Sequence, residues 1–336
     1  MIPFGIIGTS TITHNFVSHA QASGQWTLSA VYSRNAEIAG SFASKHSQAK
    51  AIEIHDKIEN LAASPSIQAV YIASPNSLHF SQAKLFLEQS KHVILEKPAT
   101  STSAELAALF GVAKEKRVFL LEANRHLHEL NFKRVAQNLH RVGPIYGASF
   151  TYASYSSRYT AVLAGSNPNI FSLEFSGGSL VDIGVYPISA SVALFGVPRH
   201  ASYDAVIVRT GVDGGGPVVL RYEGFSVAIS QSKVYTSAAP SEVYGELGTL
   251  RFDGVTDISE VEFVDAKSKE VVRLGGEKER LNLVEECREF ARIIAESDWE
   301  EAAKLERISR ATIEVTEKLR RDNGIVFECD KEARKS

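Results

Sequence analysis

Apolar runs of strand length alternate with helical stretches through the first third of the chain. Ile2 to Ile7, Trp26 to Tyr32, Ala51 to Ile54, Ala69 to Ala73, Lys91 to Leu95 and Arg117 to Glu122 read as strands. Between them, Thr11 to about Ala20, Ala36 to His46, Lys57 to Ala62, Asn76 to Gln89 and Thr102 to Lys114 read as helices. Asp56 and Asn76 are candidate N-caps, and Thr102-Ser103-Ala104-Glu105 has the form of a capping box. Six strands joined by short helical crossovers predict a doubly wound parallel sheet.

From Ile145 the pattern changes. Strand-like segments at 145–155, 203–209, 217–223, 225–231, 241–246, 249–253, 258–264 and 271–274 are joined by hairpin-like turns, among them Gly211 to Gly216 and Leu247-Gly248. Two amphipathic stretches follow, Leu281 to Glu296 and Glu300 to Arg321, and the tail from Lys331 to Ser336 reads as frayed. The fold class expected is α/β: a Rossmann-type domain over residues 1–122, then an α+β domain over 123–336 built on a large, mainly antiparallel sheet.

At 336 residues the chain has length for two cores, and 44% hydrophobic residues suit a globular protein. A net charge of -3 with scattered Lys and Arg gives no footprint for nucleic acid. Cys287 and Cys329 form no metal-type spacing, so both read as reduced thiols. No basic leader or long apolar segment precedes the first strand, which makes a cytoplasmic protein the expectation and a membrane partner unexpected.

Candidate chemistry gathers at strand ends. Glu96-Lys97-Pro98 closes the fifth strand, and proline forbids further ladder bonding, so two charges are presented where open α/β sheets bind ligands. The first βα turn, Gly8-Thr9-Ser10-Thr11-Ile12, keeps one glycine of the dinucleotide fingerprint; Ser10 and Thr13 stand where the second and third belong. A serine limits backbone approach to a pyrophosphate, but its hydroxyl can donate to one. After the second strand, Ser33-Arg34 offers a hydroxyl and a guanidinium in place of the acid that bonds an NAD ribose. That exchange points to NADP, with NAD as the alternative. Ser74-Pro75-Asn76 breaks the fourth strand, and His79 follows on the first helical turn at the cofactor edge. In the second half, Gly177-Gly178 precedes a helical stretch in which Asp182 and Tyr186, four apart, share a face, while Pro187 must kink or restart that helix.

Taken together, Lys91 to Pro98, Ser74 to His79 and Gly177 to Tyr186 resemble the glucose-fructose oxidoreductase / inositol dehydrogenase (Gfo/Idh/MocA) family. Tyrosine at 186 looks most like the dimeric dihydrodiol dehydrogenase branch, since the inositol dehydrogenase branch has histidine there. The resemblance implies a Rossmann domain and an open-faced sheet domain that forms a homodimer or higher homo-oligomer. It also implies Lys97 and Tyr186 as the reactive pair, Asp182 in support, Glu96 beside the cofactor and Arg158 near cofactor or substrate. The segment Glu122 to His128 lacks the family's Arg-Phe-x-Pro sequence, and His126 with His128 reads as pocket or surface polarity in preference to a metal pair.

The expected reaction moves a hydride between nicotinamide and a hydroxyl or carbonyl carbon of a sugar, polyol or dihydrodiol-like small molecule. A free phenol titrates near ~10, so proton transfer at neutral pH calls for a neighbouring positive charge, which Lys97 supplies. Exchanged roles for Lys97 and Tyr186 stay open. So does a different class: a non-catalytic NADP-binding sensor of the same fold.

Overall fold

The computed structural model describes residues 1–47 and 51–333. Contacts divide the chain into two units, and the first joins Met1–Ala123 with Leu281–Arg310. Its strands are β1 (Ile2–Ile7), β2 (Trp26–Tyr32), β3 (Glu53–His55), β4 (Ala69–Ile72), β5 (His92–Leu95) and β6 (Leu120–Glu122). They form a sheet in the order β3-β2-β1-β4-β5-β6, parallel throughout. This is the doubly wound arrangement, in which strand order reverses beside β1 and opens a crevice at the carboxyl edge.

Local chemistry explains the boundaries. Thr102 caps the helix Ser103–Lys116 through its hydroxyl, and Glu105 reaches back to the Thr102 amide at 3.1 Å, closing the expected capping box. That helix ends on Arg117 in the left-handed region, with the Val118 amide donating to Ala113 O at 3.0 Å. Residues 117 and 118 therefore serve the cap, and the sixth strand starts at Leu120, not Arg117. Asp56 is not a cap: Lys57 occupies that position without a side-chain bond. Nor does Asn76 cap its helix, because a 3₁₀ turn over Asn76–Leu78 intervenes before His79–Glu88.

The first core is aromatic. Phe4 meets Phe16 and Trp26 edge-on, and Phe16 stacks on Tyr71 with ring centres 3.7 Å apart. Leu283, Cys287, Phe290 and Ile293 of the late segment pack into this cluster, and the Trp26 indole donates to the Cys287 carbonyl at 2.8 Å. Each such side chain, fully buried, contributes about 1.5–3 kcal/mol.

The second unit holds β7 (Ile145–Ala153), β8 (His200–Tyr203), β9 (Val206–Ile207), β10 (Asp213–Arg221), β11 (Ser226–Ser232), β12 (Ser241–Gly245), β13 (Gly248–Phe252), β14 (Val261–Asp265) and β15 (Val271–Arg273). Their order is β15-β14-β13-β12-β7-β11-β10-β8, with β9 on β10. Every pairing is antiparallel except β7 with β11, which is parallel. The expected strand at 203–209 is two short ones, and β10 begins four residues before the expected 217, inside the glycine run. The reason is steric: a Cβ on Gly216 would lie 2.1 Å from Asp204 O, and one on Gly215 would lie 2.7 Å from Ser232 Oγ. These glycines permit close strand approach instead of turning the chain.

Near the carboxyl end, Arg320 of the helix Trp299–Asp322 is 1% exposed and bonds Asp330 at 2.6 and 3.0 Å. Asp330 also accepts the Phe327 amide at 2.8 Å. Of the tail expected to fray from Lys331, residues 331–333 instead end the helix Glu328–Ala333, and residues 334–336 lie outside the described residues.

Candidate functional site

In the first unit, the carboxyl ends of β1, β2 and β4 surround a cleft of about 430 Å³ lined by Gly8, Thr9, Ser10, Ser33, Arg34, Ser74 and their neighbours. Gly8 is required there. Its φ is +98°, and a Cβ would stand 2.6 Å from Ala73 O, so only glycine lets β1 turn so tightly against the end of β4. Ser10 then precedes the helix Thr11–Ala22, whose first amides, beginning with Thr11 and Ile12, have no partners within the helix. A helix N-terminus behind a glycine turn is a cradle for an anion, and Ser10 adds a hydroxyl at its mouth. Arg34 is exposed, and Asn35 caps the helix Ala36–His46 beside it at 2.9 and 3.2 Å. The residues present therefore fit a phosphorylated dinucleotide: turn, helix terminus and exposed guanidinium face one hollow.

His79 does not line this cleft. It is wholly buried, with Nδ1 3.0 Å from Pro98 O and Nε2 2.9 Å from Ser74 O, so it ties the loop after β4 to the loop after β5. Burial holds its pKa below the ordinary value despite those carbonyls. Glu96 accepts the Tyr71 hydroxyl at 2.6 Å, and Glu122 accepts the Ala99 amide at 2.8 Å, which pins both sides of the turn that carries Lys97.

In the second unit, Leu180–Gly184 forms a π-helical turn, and the α-helix proper runs Val185–Phe195. Pro187 falls in the first turn of that helix, where a missing amide hydrogen costs little, so the helix restarts before proline and not at it. The turn is anchored from β10. Asp213 accepts the Leu180 amide at 2.6 Å and the Tyr203 hydroxyl at 2.7 Å, and burial pushes its carboxyl up to about 6 against those bonds. The paired glycines serve this anchoring: a Cβ on Gly177 would lie 2.5 Å from Ile170 O, and one on Gly178 2.3 Å from Asp213 Oδ1. The close approach they permit here is to the protein's own backbone and carboxylate.

Tyr186 is 8% exposed, and its ring meets His126 and Tyr152 edge-on at 5.2 and 5.3 Å, with the Arg125 guanidinium 5.9 Å away. Arg125 is itself held by Glu129 at 3.1 Å and Asp257 at 2.5 Å. His126 bonds the Ser189 hydroxyl at 3.0 Å, and both His126 and His128 are buried, which removes the surface alternative for them. Among the described residues no group of three His, Cys, Asp or Glu side chains could hold a metal ion. Asp182 pairs with Lys233, a buried lysine immediately after β11. Sequence reading missed Lys233, although it shares one signal with Lys97: a strand that ends on a charge. Arg158 is exposed at the start of the helix Ser157–Leu163, its amide donating to Ser156 Oγ at 3.2 Å.

Lys97 thus belongs to the first unit and Asp182, Tyr186 and Arg158 to the second. Residues 2–123 match the model of the oxidoreductase family with an NAD-binding Rossmann fold, GFO/IDH/MocA, and residues 139–251 match the GFO/IDH/MocA C-terminal domain. The chain belongs to the GFO/IDH/MocA family. Within that family it is 39% identical to scyllo-inositol 2-dehydrogenase (NADP(+)) IolU of Bacillus subtilis over 98% of this chain and 99% of that protein. It is 28% identical to trans-1,2-dihydrobenzene-1,2-diol dehydrogenase of Danio rerio over 74% and 73% of the two chains. In fold it resembles KijD10, a 3-ketoreductase from Actinomadura kijaniata solved with NADP and TDP-benzene, at a TM-score of 0.79 and 22% identity, covering 95% and 97% of the chains. The GFO/IDH/MocA assignment thus rests on sequence over nearly the whole length, and the fold agrees.

Proposed function

We propose that this chain is an NADP-dependent oxidoreductase that moves a hydride between nicotinamide and a CH–OH or carbonyl carbon of a polyol, sugar or dihydrodiol-like substrate. Residues 1–122 bind the dinucleotide, and residues 123–336 bind substrate and join copies of the chain. The observation that carries the reading is the cleft where Gly8, Ser10, Ser33, Arg34 and Ser74 meet at one sheet edge. Arg34 in place of an acid favours the cofactor that bears a 2′-phosphate. Full-length similarity to an NADP-dependent inositol dehydrogenase supports both the cofactor and a polyol substrate.

Bound in that cleft, the cofactor supplies the hydride. The protein's part is orientation and the proton. Gly8 and the amides of Thr11 and Ile12 hold the pyrophosphate, with Thr9 and Ser10 at the same turn, and Ser33 with Arg34 holds the adenosine end. Asn76 and Glu96 border the same edge, and Arg158 meets cofactor or substrate. Tyr186 passes the proton at the substrate oxygen, Lys97 brings positive charge to that reaction, and Asp182 accepts a substrate hydroxyl.

Steady-state assay of NADP reduction and NADPH oxidation over a panel of inositols, sugars and dihydrodiols tests the reading. Tyr186→Phe should lower kcat by about 10²–10⁴-fold while NADPH affinity, read from the cofactor's own fluorescence, stays within about twofold. Unchanged kcat would reject the assignment of Tyr186. Tight NADPH binding with no turnover across the panel would favour the sensor.

A further inference from the structure

Lysine is seldom buried without a partner, and Lys233 has a chosen one. Its side chain is 7% exposed, it pairs with Asp182, and its ammonium stands 5.6 Å from the centre of the Phe171 ring. The Asp182 side chain is the more open of the two at 19%. The ammonium is therefore the more enclosed partner, and the carboxylate keeps the greater share of exposed surface. The Lys233 main chain is committed as well: its amide donates to Gly214 O at 2.8 Å, and its carbonyl accepts the Ser156 amide at 2.9 Å. One residue thus braces Asp182 with its head and, with its backbone, the turn that leads into Arg158. Burying an ion pair is a poor route to stability, since an apolar pair of equal volume often does as well. A pair kept at that cost is better explained by what the carboxylate does.

We infer that Lys233 is a positioning residue of the substrate site, holding the Asp182 carboxylate in place to accept hydrogen bonds from a neutral, hydroxyl-bearing substrate. The inference rests on the proposed oxidoreductase reading and adds a residue and a substrate preference to it. A carboxylate only accepts, so a ligand must bring its own donors, as vicinal hydroxyls do. A sugar acid would instead set its own charge against Asp182.

The test is a double-mutant cycle in the full chain. Lys233→Met removes the ammonium and keeps the stem; Asp182→Asn removes its partner; the double variant closes the cycle. Lys233→Met should raise KM for the polyol about tenfold, with NADPH affinity unchanged, and should add less than about twofold when Asp182 is already asparagine. A structural role would instead lower activity through the folded fraction, with the two effects multiplying. Melting curves accompany each variant, and Lys233→Gln carries the same comparison should the methionine variant be unfolded at assay temperature. In the wild type, kcat/KM should favour an inositol over the matching sugar acid. An unchanged KM in Lys233→Met and Lys233→Gln, multiplying effects, or preference for the acid overturns the inference alone. Absence of turnover in the wild type overturns the functional reading and takes this inference with it.

Discussion

Gly178 shows what one missing methyl group does. With φ at +133° and Asp213 Oδ1 2.3 Å from where a Cβ would stand, alanine there must both strain the backbone and displace a buried carboxylate. Strain and overpacking each cost about 1–3 kcal/mol, so Gly178→Ala should destabilise by about 2–6 kcal/mol. Calorimetry should record a Tm lower by roughly 5–15 °C. Activity should fall further than stability, because the same turn carries Asp182 and leads into the helix of Tyr186, the residues proposed for the reaction. At this scale the sequence was legible where a residue type is rare in its context: glycine at 8 makes the tight turn, and Arg34, where an acid belongs, lines the cleft. It was illegible where function depends on a distant partner. Asp213 lies 33 positions from Leu180 and Lys233 lies 51 from Asp182, and no local pattern announces either pairing.

Elements were readable in the measure that local rules decide them. The capping box at Thr102 and the short parallel strands follow from side-chain chemistry and period. The π-helical turn at Leu180–Gly184 does not, because it answers to an anchor on β10, and neither does the left-handed end at Arg117. The pairing of the last two helices is also tertiary. There, burial alone would raise the Asp330 carboxyl, but the Arg320 hydrogen bond and charge outweigh it and leave Asp330 below the usual 3.8. A carboxyl depressed in the folded state stabilises fully above its unfolded value and ceases to do so as pH falls through its folded one. Thermal melts should therefore show a wild-type advantage over Asp330→Asn that is full above about pH 4 and shrinks on further acidification. At neutral pH the loss should be about 1–3 kcal/mol, since buried Arg320 loses its two hydrogen bonds to Asp330 while Glu317 stays at 4.0 Å.

For the molecule entire, cofactor choice is the property that composition could not show and the cleft can. Ligands that bind only the folded protein raise its stability by an amount set by concentration over Kd. NADPH at about one hundred times its Kd should add about 2.7 kcal/mol to the first unit, visible as a raised melting transition. NADH at equal concentration should add less, and Arg34→Ala should erase the difference. Equal shifts by both cofactors in the wild type would remove Arg34 from the specificity argument.

The hydrogen bond from the Trp26 indole to the Cys287 carbonyl spans 261 positions. During synthesis at about 5–20 residues per second, the oldest part of the nascent polypeptide waits roughly 13 to 50 seconds for the segment that seals its aromatic cluster. The domain begun first on the ribosome is still open after most of the second has been made, and through that interval Trp26 and Phe4 are clients for whatever shelters apolar surface in the cell.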